Sequence, residues 1–367
     1  MNKKPNILML ILDGIRADSL SCYGYSKNTT PNIDRIANKS VVYENAFSAG
    51  GWTLPAMASI FTGAYPSKHG VHNENRHLSS KNLTLAQSLH EYGYCSAKFS
   101  DVHYMGNSSG MSRGFDFDFD YKRTKLQKIW KRTKNVIFNH NDKGGFERTE
   151  DFKKWVKSGL ESPFFAYIHY EESHYPHRTP SPYKNHFLPN GINYKQASKL
   201  DLGPTEHYAG LSDLKEKEFE IRRSLYDQSL LYVDNLVGDL YSFMEKEGLL
   251  EDTIIIITSD HGENFGENGH LAHWYVLYDT IIKVPLIIHN PSIFGTGRIS
   301  SLVQTLDIYS TFGEILEFDD LFKICNNNHT IGFKIMQNIS KIITEHLIKS
   351  NHKVLKLTTA FSLLIDN

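Results

Sequence analysis

The sequence predicts an α/β fold in which a mostly parallel central sheet is flanked by helices on both faces. Two continuous apolar runs, at residues 6–12 and 253–259, have the pattern of strands that are buried on both faces of a parallel sheet. Segments in which apolar residues recur at helical spacing alternate with further apolar runs along the chain. An acidic residue follows each of the two runs, which places carboxylates at the carboxyl edge of the predicted sheet.

Proline, glycine and apolar spacing mark the elements of the first part of the chain. After the first strand, Pro31 suits the first turn of a helix at residues 30–37. A small apolar helix at residues 56–61 follows Pro55 and ends at Gly63. The other elements predicted here are a strand at 41–47, a helix at 84–92 closed by Gly93 and a strand at 95–99.

Residues 107–150 show no periodic pattern and contain a basic run at 122–134. We expect this run to be a solvated helix face rather than a patch for an anionic polymer or a membrane surface. The later elements are predicted to be a helix at 150–159, a buried strand at 163–170, a long surface loop at 178–212 and the longest helix at 215–248. After the strand at 253–259, the sequence suggests a helix at 331–348 and a strand at 354–364.

The composition suits a globular protein with a substantial core, because 40% of the 367 residues are hydrophobic and 22% are charged. A net charge of −1 provides no global field that would attract nucleic acid. Cys22, Cys95 and Cys325 have no paired spacing, which argues against a disulfide framework or a zinc knuckle. Lys3 and Lys4 precede an apolar run of only seven residues, and no run approaches the ~20 residues that span a bilayer. We therefore expect a cytoplasmic protein without a transmembrane segment.

The small helix at residues 56–61 places Thr53 at or just before a helix start. Free backbone N–H groups there favour an anionic group, to which the hydroxyl could be presented. Taken alone, the stretch favours the commoner role of a helix cap for Thr53. However, Asp13 follows the first apolar run, and Asp260 and His261 follow the run at 253–259. Two acids and a histidine at strand ends, with a hydroxyl at a helix start, form a plausible metal and nucleophile site.

Other motifs keep a fixed order along the chain. They are Leu12-Asp13-Gly14, Thr30-Pro31-Asn32, Thr53-Leu54-Pro55, Ser59-Ile60-Phe61-Thr62-Gly63, Tyr65-Pro66, His69-Gly70, Ser173-His174, Tyr232-Val233-Asp234, Ser259-Asp260-His261-Gly262-Glu263, His270, His273, Tyr278-Asp279 and Val284-Pro285-Leu286. In this order they resemble the sulfatase family of the alkaline phosphatase superfamily, over residues 5–312. The resemblance implies a catalytic α/β domain at 1–312. Residues 313–367 would then be an abbreviated form of the smaller C-terminal subdomain of that family.

The resemblance also implies a site and a cofactor. Asp13, Asp260 and His261 are similar to the family's metal ligands, and Thr53 stands at the position of the metal-bound nucleophile. We expect one divalent metal ion. Oxygen ligands suit Ca²⁺ or Mg²⁺, while the imidazole shifts the preference toward Mn²⁺ or Zn²⁺. A second metal held by Glu172, His174 and His273 is a further hypothesis.

Four positions depart from the family's pattern. Many sulfatases have an oxidisable Cys or Ser at the position of Thr53, an Arg at Met57, a second Asp at Gly14 and a Lys at Asp101. Thr cannot form the formylglycine aldehyde, so a sulfate ester on Thr53 would have to be displaced by a second nucleophile, as phosphothreonine is in the superfamily's phosphodiesterases and transferases.

The departures favour a hydrolase or transferase that acts on phosphate mono- or diesters or phosphonates. One alternative is a true sulfatase without formylglycine, and another is a decayed member that only binds a ligand. The expected substrate is a small anionic ester or a glycan- or lipid-linked ester, and no nucleic acid is expected. The sequence does not determine the oligomeric state.

The remaining candidates are histidines and one arginine. His174 and His273 resemble residues that hold the substrate or protonate the leaving group, and His103, His270 and Arg16 resemble substrate-binding positions. For Arg16, a structural ion pair with Asp18 or Asp34 is an equal alternative. His69 is expected to fix a turn, and His177 and His289 are expected to be surface or packing residues.

Overall fold

The computed structural model describes residues 4–119, 142–160, 163–201, 203–210 and 215–316. Within these residues, the strands are β1 Asn6–Leu12, β2 Val41–Phe47, β3 Cys95–Phe99, β4 Phe117–Phe119, β5 Phe164–Tyr170, β6 Thr253–Thr258, β7 Asn264–Phe265, β8 Leu271–Ala272, β9 Lys283–His289 and β10 Gly297–Gln304. The α-helices are α1 Pro31–Ala37, α2 Thr53–Thr62, α3 Pro66–His69, α4 Leu85–Glu91, α5 Gly145–Lys157, α6 Tyr194–Ala197, α7 Pro204–Tyr208, α8 Glu216–Lys246, α9 Asp279–Ile282, α10 Pro291–Phe294 and α11 Asp307–Ile315.

Eight strands form one sheet in the order β10-β2-β9-β6-β1-β5-β3-β4, and β7 and β8 form a separate two-stranded sheet. Strand β1 pairs in parallel with β5 on one side and with β6 on the other. Strand β9 runs antiparallel to both of its neighbours, β6 and β2. The predicted α/β fold with a mostly parallel sheet is therefore confirmed, with β9 as its antiparallel member.

Helices cover both faces of this sheet because the side chains of the central strands alternate between two apolar clusters. Ile7, Met9 and Ile11 of β1 join the cluster that includes residues of α2, α4 and α11. Leu8 and Leu10 of β1 join the opposite cluster, which includes residues of α1, α5 and α8. This burial on both faces explains why the first strand is a continuous apolar run.

The predicted elements agree with the structure apart from shifts at their ends. Helix α5 begins five residues before the predicted start at residue 150, and the loop predicted at 178–212 contains the short helices α6 and α7. The basic run at 122–134, the elements suggested at 331–348 and 354–364, and Cys325 lie outside the described residues. No helix in the described part of the chain has the length and apolar character needed to cross a bilayer.

Helix α8 also stabilises the start of α1. Asp234 accepts hydrogen bonds from the N–H groups of Asn32 (3.0 Å) and Ile33 (2.7 Å), two of the free donors in the first turn of α1. Asp234 of the Tyr232-Val233-Asp234 motif thus has a structural role. His177 and His289, expected at the surface or in packing, are both buried.

Candidate active site

The candidate metal ligands lie at the carboxyl edge of the two central parallel strands. Asp13 directly follows β1, and its N–H donates to the carbonyl oxygen of Tyr170 (2.9 Å) at the end of β5. Asp260 and His261 follow the end of β6. Because β1 and β6 are parallel neighbours, the two strand ends meet at the same edge. The predicted convergence of these residues is confirmed.

Asp13, Asp260 and His261 are buried, and one ligand atom from each lies within 4.8 Å of the others. Asp13 Oδ1 and Asp260 Oδ2 are buried without a hydrogen-bond partner among the described residues. His261 Nε2 lies 3.6 Å from Asp13 Oδ1 and 3.5 Å from Asp260 Oδ2. Two unpaired carboxylate oxygens facing one imidazole nitrogen fit a divalent cation.

The other atoms of these side chains are held by the protein. Asp260 Oδ1 accepts hydrogen bonds from the N–H groups of Gly14 (3.3 Å) and His261 (3.0 Å). His261 Nδ1 lies 2.9 Å from the carbonyl oxygen of Gly262, which can only accept, so the ring proton is on Nδ1. The lone pair of Nε2 then points toward the two carboxylates. This orientation is the one that a metal-binding histidine requires.

Thr53 is brought to the same point by helix α2. It is the first residue of the helix, and Trp52, at the N-cap position, makes no side-chain capping bond. The capping role for Thr53 is therefore wrong, because its hydroxyl faces His261 instead, with 3.3 Å between Oγ1 and Nε2. The first backbone N–H groups of α2 are not capped by Trp52 and favour a negatively charged ligand beside this hydroxyl.

His169 is a site residue that the sequence analysis missed. Its Nε2 lies 3.2 Å from Asp13 Oδ2, and the hydroxyl of Tyr167 lies 2.6 Å from its Nδ1. Burial disfavours the charged ring, but the hydrogen bond to Asp13 raises the pKa of His169 above its ordinary value. The available signal was a histidine within an otherwise apolar and aromatic strand, Phe164–Tyr170.

His273 and His174 line the side of the site next to His261. The ring centroid of His273 lies 4.1 Å from that of His261 and 5.2 Å from that of His174. The buried carboxylate of Glu263, which was also missed, lies 3.3 Å from His273 Nδ1. Burial acts to raise the pKa of Glu263, but the neighbouring His273 lowers it below its usual value. Glu263 therefore orients His273 so that Nε2 is the nitrogen left for a substrate.

The side chains of Glu172, His174 and His273, the hypothetical ligands of a second metal, do not converge in the structure. Glu172 Oε1 accepts a hydrogen bond from the N–H of Gly145 (2.7 Å) and lies 3.8 Å from Arg148. Among the described residues, the one group of three or more metal-capable side chains that converges is that of the first site. The carboxylate partner of His273 is instead Glu263, 3.3 Å from its Nδ1.

The other predicted substrate-binding residues lie farther from this centre or have structural partners. Arg16 is buried and pairs with Asp18 (2.6 Å) and Glu267, which confirms the structural alternative with Asp18. His270 Nδ1 lies 3.3 Å from the hydroxyl of Tyr208.

His103 is exposed in a 3₁₀ turn, where its ring lies next to that of Tyr104. Tyr104 in turn contacts Trp52, with 5.4 Å between the ring centroids. His103 therefore lies near the Thr53 loop through these two rings, and its predicted role in substrate binding stays a prediction.

Comparison with known proteins finds relatives in sequence and in fold. A family model described as Sulfatase matches residues 5–318. Iduronate 2-sulfatase of Mus musculus is 28% identical over 331 residues, which cover 78% of this chain and 59% of that protein. An ulvan-active sulfatase of Formosa agariphila is 26% identical over 308 residues, covering 79% of this chain and 57% of that protein. The chain thus spans less than two thirds of the length of these relatives.

Solved structures share the fold. The phosphonate monoester hydrolase of Agrobacterium radiobacter superposes with a TM-score of 0.70 at 22% identity, covering 86% of this chain and 74% of that one. At this level of identity the similarity shows the fold alone. The overall fold of the chain is therefore shared with an enzyme of that description.

Proposed function

The chain belongs to the sulfatase family, and from this premise we propose that it cleaves phosphoric or phosphonic esters in a divalent-metal-dependent reaction with Thr53 as nucleophile. The observation that carries the proposal is the position of Thr53 Oγ1, at the start of α2 and 3.3 Å from His261 Nε2. The unpaired oxygens of Asp13 and Asp260 complete the arrangement.

Asp13, Asp260, His261 and Thr53 would hold the metal. A divalent cation there would supply Lewis-acid chemistry that offsets the charge of the ester. The Thr53 hydroxyl loses its proton to solvent as Oγ1 attacks. The mixed carboxylate and imidazole set suits Mn²⁺ or Zn²⁺, and the carboxylates alone also suit Ca²⁺ or Mg²⁺.

The side chains around Thr53 support a displacement at phosphorus. Attack by Thr53 Oγ1 forms a bond to phosphorus as the bond to the leaving oxygen breaks, and the start of α2 stabilises the negative charge on the other oxygens. The leaving oxygen needs a proton, which His273, held at Nδ1 by Glu263, can donate from Nε2.

The second half of the reaction releases Thr53. A water molecule or an acceptor hydroxyl attacks the phosphothreonine, its proton passes to the same histidine, and the bond to Thr53 Oγ1 breaks. Attack by water makes the protein a hydrolase, and attack by an alcohol makes it a transferase. Both outcomes use the same residues.

A sulfuric ester is the second candidate substrate, because iduronate 2-sulfatase and ulvan-active sulfatase are among the relatives. A sulfate carried on Thr53 must be displaced by a second nucleophile, since threonine cannot form the aldehyde hydrate that expels sulfate from formylglycine. Thr53 is therefore the residue that favours phosphorus over sulfur.

The test is turnover by metal-stripped protein that is refilled with Mn²⁺, Zn²⁺, Mg²⁺ or Ca²⁺. The substrates are p-nitrophenyl phosphate, bis-p-nitrophenyl phosphate, a phenylphosphonate ester and p-nitrophenyl sulfate. Thr53→Ala is expected to lower kcat/KM for a phosphorus ester by about 10³-fold or more, because the nucleophile is lost. Thr62→Ala is the matched control, since Thr62 is buried at the other end of the same helix and donates to the carbonyl oxygen of Ala58.

Each result decides between the candidates. Thr53-dependent turnover of a phosphorus ester supports the proposal, and a preference for the sulfate ester supports the sulfatase. Full activity in Thr53→Ala overturns the assignment of Thr53 as the nucleophile. Absence of turnover with every metal and ester favours a transferase that needs its own acceptor, or a decayed member that binds a ligand without catalysis.

A further inference from the structure

His169 lies within the sheet, directly below the candidate metal site, rather than on one of the loops around it. It belongs to β5 and pairs in register with Ile11 of β1, two positions before Asp13. The other residues of Phe164–Tyr170 are apolar or aromatic, and the whole strand is buried. A buried polar side chain in such a strand needs a specific partner. For His169 this partner is the carboxylate of Asp13.

The hydrogen bond from His169 occupies one of the two oxygens of that carboxylate. His169 Nε2 lies 3.2 Å from Asp13 Oδ2. Because a carboxylate can only accept, Nε2 carries a proton and donates to Oδ2 in either charge state of the ring. Asp13 Oδ1 has no hydrogen-bond partner among the described residues and faces His261. The protein therefore leaves Asp13 with a single oxygen for a cation.

Tyr167 holds the ring of His169 in this orientation. Its hydroxyl lies 2.6 Å from His169 Nδ1. The Tyr167 ring packs edge-on against Phe61, with 5.3 Å between the ring centroids. Phe61 is buried in α2, the helix that begins at Thr53. The imidazole is thus held at both nitrogens, and its orientation is fixed by the packing of the nucleophile helix on the sheet.

Asp260 is restricted in a similar way. Its Oδ1 accepts from the N–H groups of Gly14 (3.3 Å) and His261 (3.0 Å), and its Oδ2 has no partner among the described residues. Together with His261 Nε2 and Thr53 Oγ1, the two aspartates offer two carboxylate oxygens, one hydroxyl oxygen and one imidazole nitrogen. Each carboxylate is thus limited to binding a cation through one oxygen.

This donor set is poor for Ca²⁺. That ion takes about six to eight oxygen ligands, and a carboxylate that binds it through both oxygens supplies two of them. First-row transition ions need fewer ligands and accept imidazole nitrogen among them. If Asp13 Oδ2 were released by His169, the carboxylate could bind through both oxygens. Ca²⁺ would gain more from that change than a smaller ion.

We propose that His169, oriented by Tyr167, is a positioning residue that selects against Ca²⁺ by withholding Oδ2 of Asp13, so that the site prefers a first-row transition ion. This proposal rests on the metal dependence of the proposed function and adds what sets the preference between metals. A role confined to orienting Asp13 would strengthen the binding of every divalent ion by the same factor. The two roles therefore differ in the ratio of affinities for two metals.

The test measures the Kd of Mn²⁺ and of Ca²⁺ by isothermal titration calorimetry of metal-stripped protein, with no ester present. Mn²⁺ is the stringent probe, because it is the weakest binder of the first-row series. The quantity compared is the Kd of Ca²⁺ divided by the Kd of Mn²⁺, called the metal ratio below. A change of charge at position 169 acts on both divalent ions alike and cancels in the metal ratio.

Three variants probe the hydrogen-bonded chain, and one is a control. His169→Leu removes the donor, His169→Gln keeps an amide donor for Asp13, and Tyr167→Phe removes only the hydroxyl that orients the ring. The control is His289→Leu. His289 is also a buried strand histidine beside a tyrosine hydroxyl, with 3.3 Å between Nε2 and the Tyr241 oxygen. It pairs with Ile255 near the start of β6, at the end of the strand away from the site.

The wild type is expected to have a metal ratio of about 10 or more, since the donor set disfavours Ca²⁺. His169→Leu should lower the metal ratio about tenfold, and Tyr167→Phe about threefold, because Asp13 Oδ2 is then free to bind the metal. His169→Gln and His289→Leu should stay within about twofold of the wild type. If His169→Leu does not fold, Tyr167→Phe decides, since it keeps the packed ring.

Two results overturn the proposal. One is a wild type that binds Ca²⁺ as tightly as Mn²⁺. The other is an unchanged metal ratio in His169→Leu and Tyr167→Phe, which includes an equal loss of affinity for both ions. Failure of the proposed function gives a different result, because the esters are then not turned over although Mn²⁺ binds with the expected metal ratio. A wild type that binds neither ion overturns the metal dependence and this proposal together.

Discussion

At Asp13, two sets of neighbours act on one carboxylate. Oδ2 is bound by His169, while Oδ1 has no partner among the described residues and faces His261. Burial acts to raise the pKa of Asp13, but His174, His169 and His261 lower it well below its usual range. The carboxylate is therefore kept ionised in a buried position, which a cation-binding residue requires.

Gly14, which follows Asp13 in the sequence, limits the number of carboxylate oxygens at the candidate metal site. Its φ of +72° lies in the left-handed region, and an added Cβ would lie 3.9 Å from both His174 Cα and His261 Cε1. A second acidic residue, as many sulfatases have here, would point into the site. Without it, Asp13 and Asp260 would be the carboxylate ligands of the proposed metal, and the imidazole of His261 would have a larger share in binding it.

His69 allows a prediction about stability and pH at the level of one residue. The N–H of Val71 donates to its Nδ1 (3.0 Å), so the ring is neutral, and its Nε2 lies 3.1 Å from Ser59 Oγ on α2. This bond confirms that His69 fixes the turn at Gly70. Burial lowers the pKa of His69 to about 4.

Because the folded-state pKa of His69 is depressed, its contribution to stability is present above the unfolded pKa of 6.5 and lost as the pH falls to about 4. Over this interval the free energy of unfolding should fall by roughly 2 kcal/mol more in the wild type than in His69→Gln, which does not titrate. Urea denaturation of both proteins at a series of pH values measures this difference in the free energy of unfolding. Parallel pH profiles for the two proteins would contradict the prediction.

At the level of elements, a buried charge network joins the ends of β3 and β5 to helix α5. Arg148 of α5 is buried and pairs with Asp101, which follows β3, and with Glu172, which follows β5. Burial raises the pKa of Glu172, and Arg148 opposes this effect. Asp101, the residue at the family's lysine position, therefore has a structural partner that fixes α5 to the sheet.

Replacing Arg148 with an uncharged residue would leave the carboxylates of Asp101 and Glu172 without the guanidinium that they share. Arg148→Met is expected to lower the free energy of unfolding by about 3 kcal/mol, because breaking a buried ion pair from one side leaves an uncompensated charge. The double variant Arg148→Met with Glu172→Gln should recover at least half of the loss, since the buried carboxylate is then neutral. Urea denaturation at neutral pH measures both. A loss below about 1 kcal/mol in the single variant would show that the pairs contribute little.

At the level of the whole molecule, charge is nearly balanced and the site lies at one edge of the sheet. The 40 Lys and Arg against 41 Asp and Glu leave a net charge of −1. A molecule of this kind has no strong long-range field, so the proposed anionic ester would reach the site by diffusion without electrostatic steering and would be held there by local groups. The helix start at Thr53 is one such group.

The salt dependence of the proposed reaction should therefore be weak. Raising NaCl from about 50 mM to about 300 mM is expected to change kcat/KM for p-nitrophenyl phosphate less than about threefold, because there is little field to screen. The comparison is made with the metal ion saturating at both salt concentrations. A fall of tenfold or more would reveal a strong local field around the site.

The sequence by itself determined the fold class, the central strands and the residues that converge at the candidate metal site. These features have local signals: a buried strand is a continuous apolar run, and the side chain that follows it must lie at the carboxyl edge of the sheet. Asp13, Asp260, His261 and the helix start at Thr53 could therefore be placed without knowledge of any long-range contact.

Only the tertiary structure decided which side chain faces which. His169 reaches Asp13 across 156 positions of sequence, and His273 pairs with Glu263 rather than Glu172. No periodicity encodes such pairs, since they depend on how adjacent strands register and how the loops after them turn. The packing of Leu277 on Gly51, two residues before Thr53, is a further contact of this kind.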